Sequence, residues 1–150
     1  HVAGKHIADF AYAVYATPEL YGQYREDPRK VSAITWNAMA SASTTPAWLA
    51  RCFPEMPMRY RVNSLTIAFD LARQGMGFTQ LPCAIGDIAP ELRRVPVDYR
   101  EPPVGFWVLS HIDLRTTARI RIFRDFMLEA IAPYVPLIEG ERENAWQASR

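Results

Sequence analysis

Met58-Arg59-Tyr60-Arg61-Val62-Asn63-Ser64-Leu65-Thr66-Ile67-Ala68-Phe69-Asp70-Leu71-Ala72-Arg73-Gln74-Gly75-Met76-Gly77-Phe78-Thr79-Gln80-Leu81-Pro82 reads as strand, cap, helix, glycine stop, strand. Met58, Tyr60 and Val62 alternate with Arg59 and Arg61, the two-residue period of a strand. Asn63 or Ser64 can cap the following helix by accepting a backbone N–H. Leu65, Ala68, Phe69 and Ala72 recur at i, i+3, i+4 and i+7, and Ile67 and Leu71 widen that face. So wide an apolar face predicts cover from more than one neighbour. Gly75 follows the last periodic residue, where a left-handed backbone ends a helix at no Cβ cost. Phe78 to Leu81 is short and mostly apolar, and Pro82 stops it. A unit of this length predicts a parallel pair with a right-handed crossover. Its chemistry lies at Asn63-Ser64-Leu65, where free helix N–H groups past the end of a strand suit an anion.

Working outward, 150 residues are enough for one domain with a real core. Apolar residues make up 49% and charged residues 22%, the balance of an ordinary globular chain. A net charge of +1 argues against a chain-wide field for nucleic acid or acidic membrane. No apolar run approaches the roughly 20 residues that span a bilayer, so no membrane partner is expected. The chain opens on His1 rather than Met and has no signal-peptide pattern, as a fragment or processed product would. Cys52 and Cys83 do not make a disulfide framework or a CxxC motif, and read as reduced, partly buried residues of a cytoplasmic protein.

Toward the N-terminus, His1 to Asp9 reads as a polar lead-in and Phe10 to Tyr15 as a strand. Thr17-Pro18-Glu19 gives a cap, a first-turn proline and an acid, and so predicts a short helix. Val31–Trp36 is a second strand and Asn37–Pro46 a loop. Pro46–Phe53 reads as an amphipathic helix capped by Thr44 or Thr45. Toward the C-terminus, Cys83–Ile88 reads as one helical turn and Leu92–Val95 as a strand. Asp98–Pro103 is a connector. Val104–Ser110 is almost wholly apolar, which predicts a strand covered on both faces. The longest helix is expected from about Thr116 to Tyr134, with Ile120, Phe123, Met127 and Ile131 on one side. Residues 135–150 read as a polar tail, with a helix placed at Glu139–Gln147. Alternating strands and helices make the chain an α/β layered fold.

A family resemblance rests on an ordered set of pieces. These are Val14-Tyr15-Ala16 with Pro18-Glu19, Ile34-Thr35-Trp36, Val62-Asn63-Ser64, Gly75-Met76-Gly77-Phe78-Thr79-Gln80-Leu81-Pro82 and Leu92-Arg93-Arg94-Val95. Phe106 to His111, Asp113-Leu114-Arg115, Arg119-Ile120-Arg121, Phe123 and Phe126 follow. In order and spacing they resemble the effector-binding region of LysR-type transcriptional regulators, over about residues 10–134. The resemblance implies a Rossmann-like lobe of a periplasmic-binding-protein-like (type 2) effector domain, plus a closing strand and long helix of the first lobe. Residues 10–97 would be lobe II, 98–103 a connector and 104–134 the closing part of lobe I. It further implies a cytoplasmic homodimer or tetramer that binds a small carboxylate or aromatic acid between its lobes. No cofactor is implied. DNA would be reached only through an upstream winged helix-turn-helix, to which nothing here corresponds. The opening elements of lobe I also lack a counterpart. The strand at Val104–Ser110 is therefore expected to pair with a second copy, or to lie under the long helix.

By position, the resemblance puts Trp36, Asn37, Asn63, Ser64 and Leu65 on the cleft side. Each has a plainer reading beside it. Ser64 can be a helix cap only, Asn37 an Asx turn and Trp36 a core aromatic. Two other function classes stand next to the sensor: a free-standing solute-binding protein of the same fold, and a thiol enzyme. The second would use Cys83 at a helix N-terminus with His111 and Asp113. No catalytic residue is assigned on that pattern. Three histidines without ligand spacing do not make a metal site. The arginines on the long helix read as a solvated face, interleaved with Asp125 and Glu129.

Overall fold

The computed structural model describes residues 2–36, 44–114 and 117–141. In chain order these form β1 (Val2–Phe10), β2 (Tyr12–Ala16), α1 (Pro18–Glu26), β3 (Ala33–Trp36), α2 (Ala47–Cys52), β4 (Met58–Val62) and α3 (Leu65–Arg73). There follow β5 (Thr79–Pro82), α4 (Cys83–Gly86), β6 (Arg93–Arg94), β7 (Val104–His111), α5 (Ala118–Ile131) and α6 (Val135–Ile138).

Two of the caps predicted from sequence form, at Thr17 and Ser64. Thr17 Oγ1 accepts from Leu20 N at 3.3 Å, and Pro18 opens α1. Ser64 Oγ accepts from Ile67 N at 3.4 Å and opens α3. At α2 the expectation fails: Pro46 holds the cap position and no side chain bonds there. Gly75 ends α3 with φ of 75°. A Cβ at Gly77 would meet Ser32 O at 2.6 Å, so only glycine lets Phe78 lie against β3.

The 58–82 unit closes differently from the expected pair. β4 pairs in parallel with β3, and β5 does not touch β4 in the sheet. Ala33 instead bridges Phe78 in parallel on the other side of β3. Ile34 N donates to Phe78 O at 2.7 Å, and Phe78 N to Ser32 O at 2.9 Å. The crossover thus spans one strand. β5 then pairs antiparallel with β2, whose far edge holds β6. The strand sequence across the sheet is β4, β3, β5, β2, β6.

Period-two alternation sends neighbours on one strand to opposite faces. Val14, Ala16 and Ala33 pack with Leu20, Trp48, Leu49, Phe53 and Phe78 on one side. Tyr15 and Ile34 pack with Ala68, Ala72, Leu81 and Leu92 on the other. Two such cores make a sheet layered between helices. Ile67, expected to widen the buried face of α3, is 47% exposed.

Expectations at both chain ends are corrected. Residues 2–10 are not a lead-in but β1, which pairs antiparallel with β7 from Val2↔His111 to Phe10↔Val104. β7 therefore finds its partner within the chain, and α5 does not cover it. Its side chains alternate between half-buried and exposed instead of being covered on both faces, with Trp107 and Leu109 among the exposed ones. The two-stranded ribbon is held by side-chain pairs, His6 edge-on to Trp107 at 4.9 Å and Phe10 against Phe106 at 5.3 Å. α5 forms as predicted but buries no residue fully. Beyond α5 a 3-10 turn at Ala132–Tyr134 leads into α6. There the tail docks, with Ile138 buried and its carbonyl accepting from Ala11 N at 3.1 Å. Of the helix placed at Glu139–Gln147, Glu139–Glu141 are non-helical and the rest lies outside the described residues.

Candidate functional site

A cavity of about 740 Å³ lies at the carboxyl ends of the parallel strands. Thr35 and Trp36 end β3 there, Arg61 and Val62 end β4, and Asn63 leads into α3. Gln80 of β5, Ile67 of α3, Trp48 of α2 and Glu101 of the connector are also among its lining residues. Strand ends opening onto helix starts are where open α/β sheets take ligands. The volume falls in the ordinary range of small-molecule pockets.

The polar groups are tied in a short chain. Trp36 Nε1 donates to Gln80 O at 2.5 Å, which fixes the indole as a wall. Gln80 Nε2 donates to Glu101 Oε2 at 3.1 Å, and Tyr99 OH donates to the same oxygen at 2.8 Å. That hydrogen bond pushes the Tyr99 phenol up from its usual value. Burial, then the Glu101 charge, raise Tyr12.

Of the residues expected on the cleft side, Trp36 and Asn63 line this cavity. Ser64 and Leu65 follow Asn63 in the chain but are not among the lining residues, and Ser64 Oγ serves as the α3 cap. Asn37 lies outside the described residues. Sequence reasoning missed Arg61, Gln80 and Glu101. Arg61 carried a signal, being the last exposed position of β4 before Asn63. Glu101 carried none, because only the path of the connector brings it to the strand ends.

A second polar cluster joins β2, β6 and the tail to Asp87. Arg94 Nε donates to Asp87 Oδ1 at 2.8 Å, and Arg94 Nη2 bonds Asp87 Oδ2. The same Arg94 Nη2 reaches Gly140 O at 3.0 Å. Tyr15 OH donates to Asp87 Oδ1 at 2.7 Å. Burial raises the Cys83 thiol, and its helix has only four residues, so the thiolate is not favoured. Cys83 N bonds Ala11 O, at the root of the ribbon, whereas His111 pairs with Val2 at the far tip. The nine-residue strand between them spans on the order of 25–30 Å. Cys83 and His111 therefore do not form a nucleophile–base pair. Among the described residues no group of three His, Cys, Asp or Glu could hold a metal ion, and no helix is long and apolar enough to cross a membrane.

No protein-family model matches the chain, and no curated protein does. Solved structures do. The effector domain of the transcriptional regulator AmpR of Pseudomonas aeruginosa aligns with a TM-score of 0.62 at 22% identity, over 89% of this chain and 67% of that one. The regulatory domain of CrgA, a LysR-type regulator from Neisseria meningitidis, gives 0.56 at 21%, over 86% and 68%. Full-length AphB, a virulence activator of Vibrio cholerae, gives 0.61 at 13%, over 87% of this chain and 50% of that one. The chain thus spans about two thirds of the isolated domains and half of the full-length regulator. Its fold is the periplasmic-binding-protein-like fold of the effector-binding domains of LysR-type transcriptional regulators.

Proposed function

We propose that this chain is the effector-sensing and oligomerising part of a LysR-type transcriptional regulator. In this reading residues 10–97 are lobe II, 98–103 the connector, 104–134 the closing strand and helix of lobe I, and 135–150 the tail. The β1 strand belongs with the closing part, since among the described residues it pairs only with β7. A small carboxylate or aromatic acid binds between the lobes. DNA is contacted through an upstream domain, and the working protein is a cytoplasmic homodimer or tetramer.

The observation that carries the reading is the cavity at the ends of β3, β4 and β5, with Arg61 and Asn63 on its wall beside the start of α3. A cation, an amide and a helix N-terminus at one strand end together suit a carboxylate. Trp36 and Ile67 supply an apolar wall for an aromatic ring.

Calorimetric titration with small carboxylates tests it. Arg61→Ala is expected to weaken the carboxylate that binds by about threefold to tenfold, the loss of one charge-assisted bond at an exposed position. Ser64→Ala is expected to lower stability by about 0.5–1 kcal/mol through the α3 cap. Unchanged affinity in a folded Arg61→Ala variant would remove Arg61 from the site. Unchanged affinity in Ser64→Ala would leave that serine a cap only.

A further inference from the structure

The cavity carries one charge of each sign. Arg61 and Glu101 both line it, and among the described residues neither takes part in an ion pair. Arg61 is exposed and Glu101 half-buried. The carboxylate of Glu101 is held by two neutral donors, Gln80 Nε2 and Tyr99 OH, both on Oε2. They fix the side chain without neutralising it and leave Oε1 outside both bonds. The charge is felt nearby, since it helps to raise the Tyr12 and Tyr99 phenols. A monoanion seated at Arg61 would share the cavity with this negative charge, and a monocation at Glu101 would share it with the positive one. Only a ligand bearing both charges is favoured at each end.

We propose that the cavity takes a free α-amino acid with an apolar side chain, its carboxylate at Arg61 and Asn63 and its ammonium group at Glu101. This rests on the effector reading above and narrows it from carboxylates in general to amphoteric ones. Glu101 is then the residue that sets specificity. Its placement suits that task, because Gln80 and Tyr99 hold the carboxylate in one orientation before any ligand arrives. Trp36 and Ile67 offer the apolar surface that a side chain would cover, and the exposure of Ile67 has a use in that arrangement.

Three ligands of one skeleton separate the possibilities: L-phenylalanine, 3-phenylpropionate, which lacks the ammonium, and 2-phenylethylamine, which lacks the carboxylate. The remaining standard amino acids complete the panel, all titrated into the full protein by calorimetry. The expected result is an amino acid binding at least about tenfold more tightly than its des-amino and decarboxylated analogues. Glu101→Gln keeps a side chain that can accept both hydrogen bonds. It is expected to abolish the preference over the des-amino acid while leaving that acid bound as well or better. If wild-type protein binds 3-phenylpropionate as tightly as phenylalanine or any other amino acid, the amphoteric proposal is overturned and the carboxylate-effector reading survives. If no standard amino acid binds, the proposal is also overturned, and the carboxylate titrations decide the broader reading on their own. Should Glu101→Gln not fold, the order of the three ligands on the wild-type protein still decides.

Discussion

Tyr15 shows how much one side chain can be asked to do. Its ring is fully buried, and its hydroxyl donates to Asp87, which Arg94 also holds. Burial, first of all, raises the phenol above its ordinary 10.0. A raised acid keeps its proton more firmly in the folded state than in the unfolded chain. The stability it contributes is therefore whole below about pH 10 and falls as the pH rises past the unfolded value. Tyr15→Phe is expected to cost about 1 kcal/mol at neutral pH. It should also flatten the loss of stability above pH 10, as denaturant unfolding at a series of pH values would report. An equal alkaline slope in both proteins would place the titrating group elsewhere. The sequence announced Tyr15 only as a member of an apolar strand. Its partner lies 72 residues away, and no local pattern encodes that meeting.

At the scale of elements, the ribbon and α5 are the unusual parts. Phe123 and Phe126 of α5 are exposed at 56% and 61%, and Leu109 of β7 at 65%. In the oligomer proposed above, these exposed apolar side chains are the surface through which copies would associate. Phe126→Glu is expected to change the unfolding free energy by no more than about 0.5 kcal/mol, because the residue packs against little. Its effect should appear in sedimentation velocity, as a shift toward smaller species at equal concentration. A large loss of stability with no change in size would mean that α5 is packed within its own chain. The sequence placed α5, from the 3.6-residue period, but the apolar side it expected is not buried, Phe123 included. It misjudged β7 because a run of apolar residues describes what a strand could bury, not what is present to bury it. It missed β1 because Lys5, His6 and Asp9 break the apolar pattern in a strand whose ladder is held by its partner.

For the whole molecule, the ties that matter are those between distant segments. Arg94 on β6 joins Asp87, just after α4, to Gly140 in the tail. Asp87 has only 4% of its side chain exposed, so removing the cation leaves a buried carboxylate unpaired. Arg94→Met is expected to cost about 3 kcal/mol. It should also free the tail, which limited proteolysis would show as early cleavage beyond α6. Retained protection of the tail would assign its docking to Ile138 and to the Asp9–Glu139 hydrogen bond instead. Glu101 acts at the same scale. It lies on the connector and lines both the strand-end cavity and a second cavity beside the docked tail, so a ligand touching it also touches the segment that joins the ribbon to the main sheet.

The sequence by itself determined the local units: the hydroxyl caps at Thr17 and Ser64, the left-handed stop at Gly75 and the amphipathic α3 and α5. Each depends on the steric and hydrogen-bonding preferences of a few adjacent residues. The ordered motifs further pointed to the right fold, and to Trp36 and Asn63 at the strand ends. Only the tertiary structure decided that β3 lies between the two strands of the 58–82 unit, and that β1 completes β7. It alone brought Arg61, Gln80 and Glu101 to one cavity while leaving Ser64 as a cap. Strand order and cavity walls depend on which distant segments share burial, and that is a property of the packed chain.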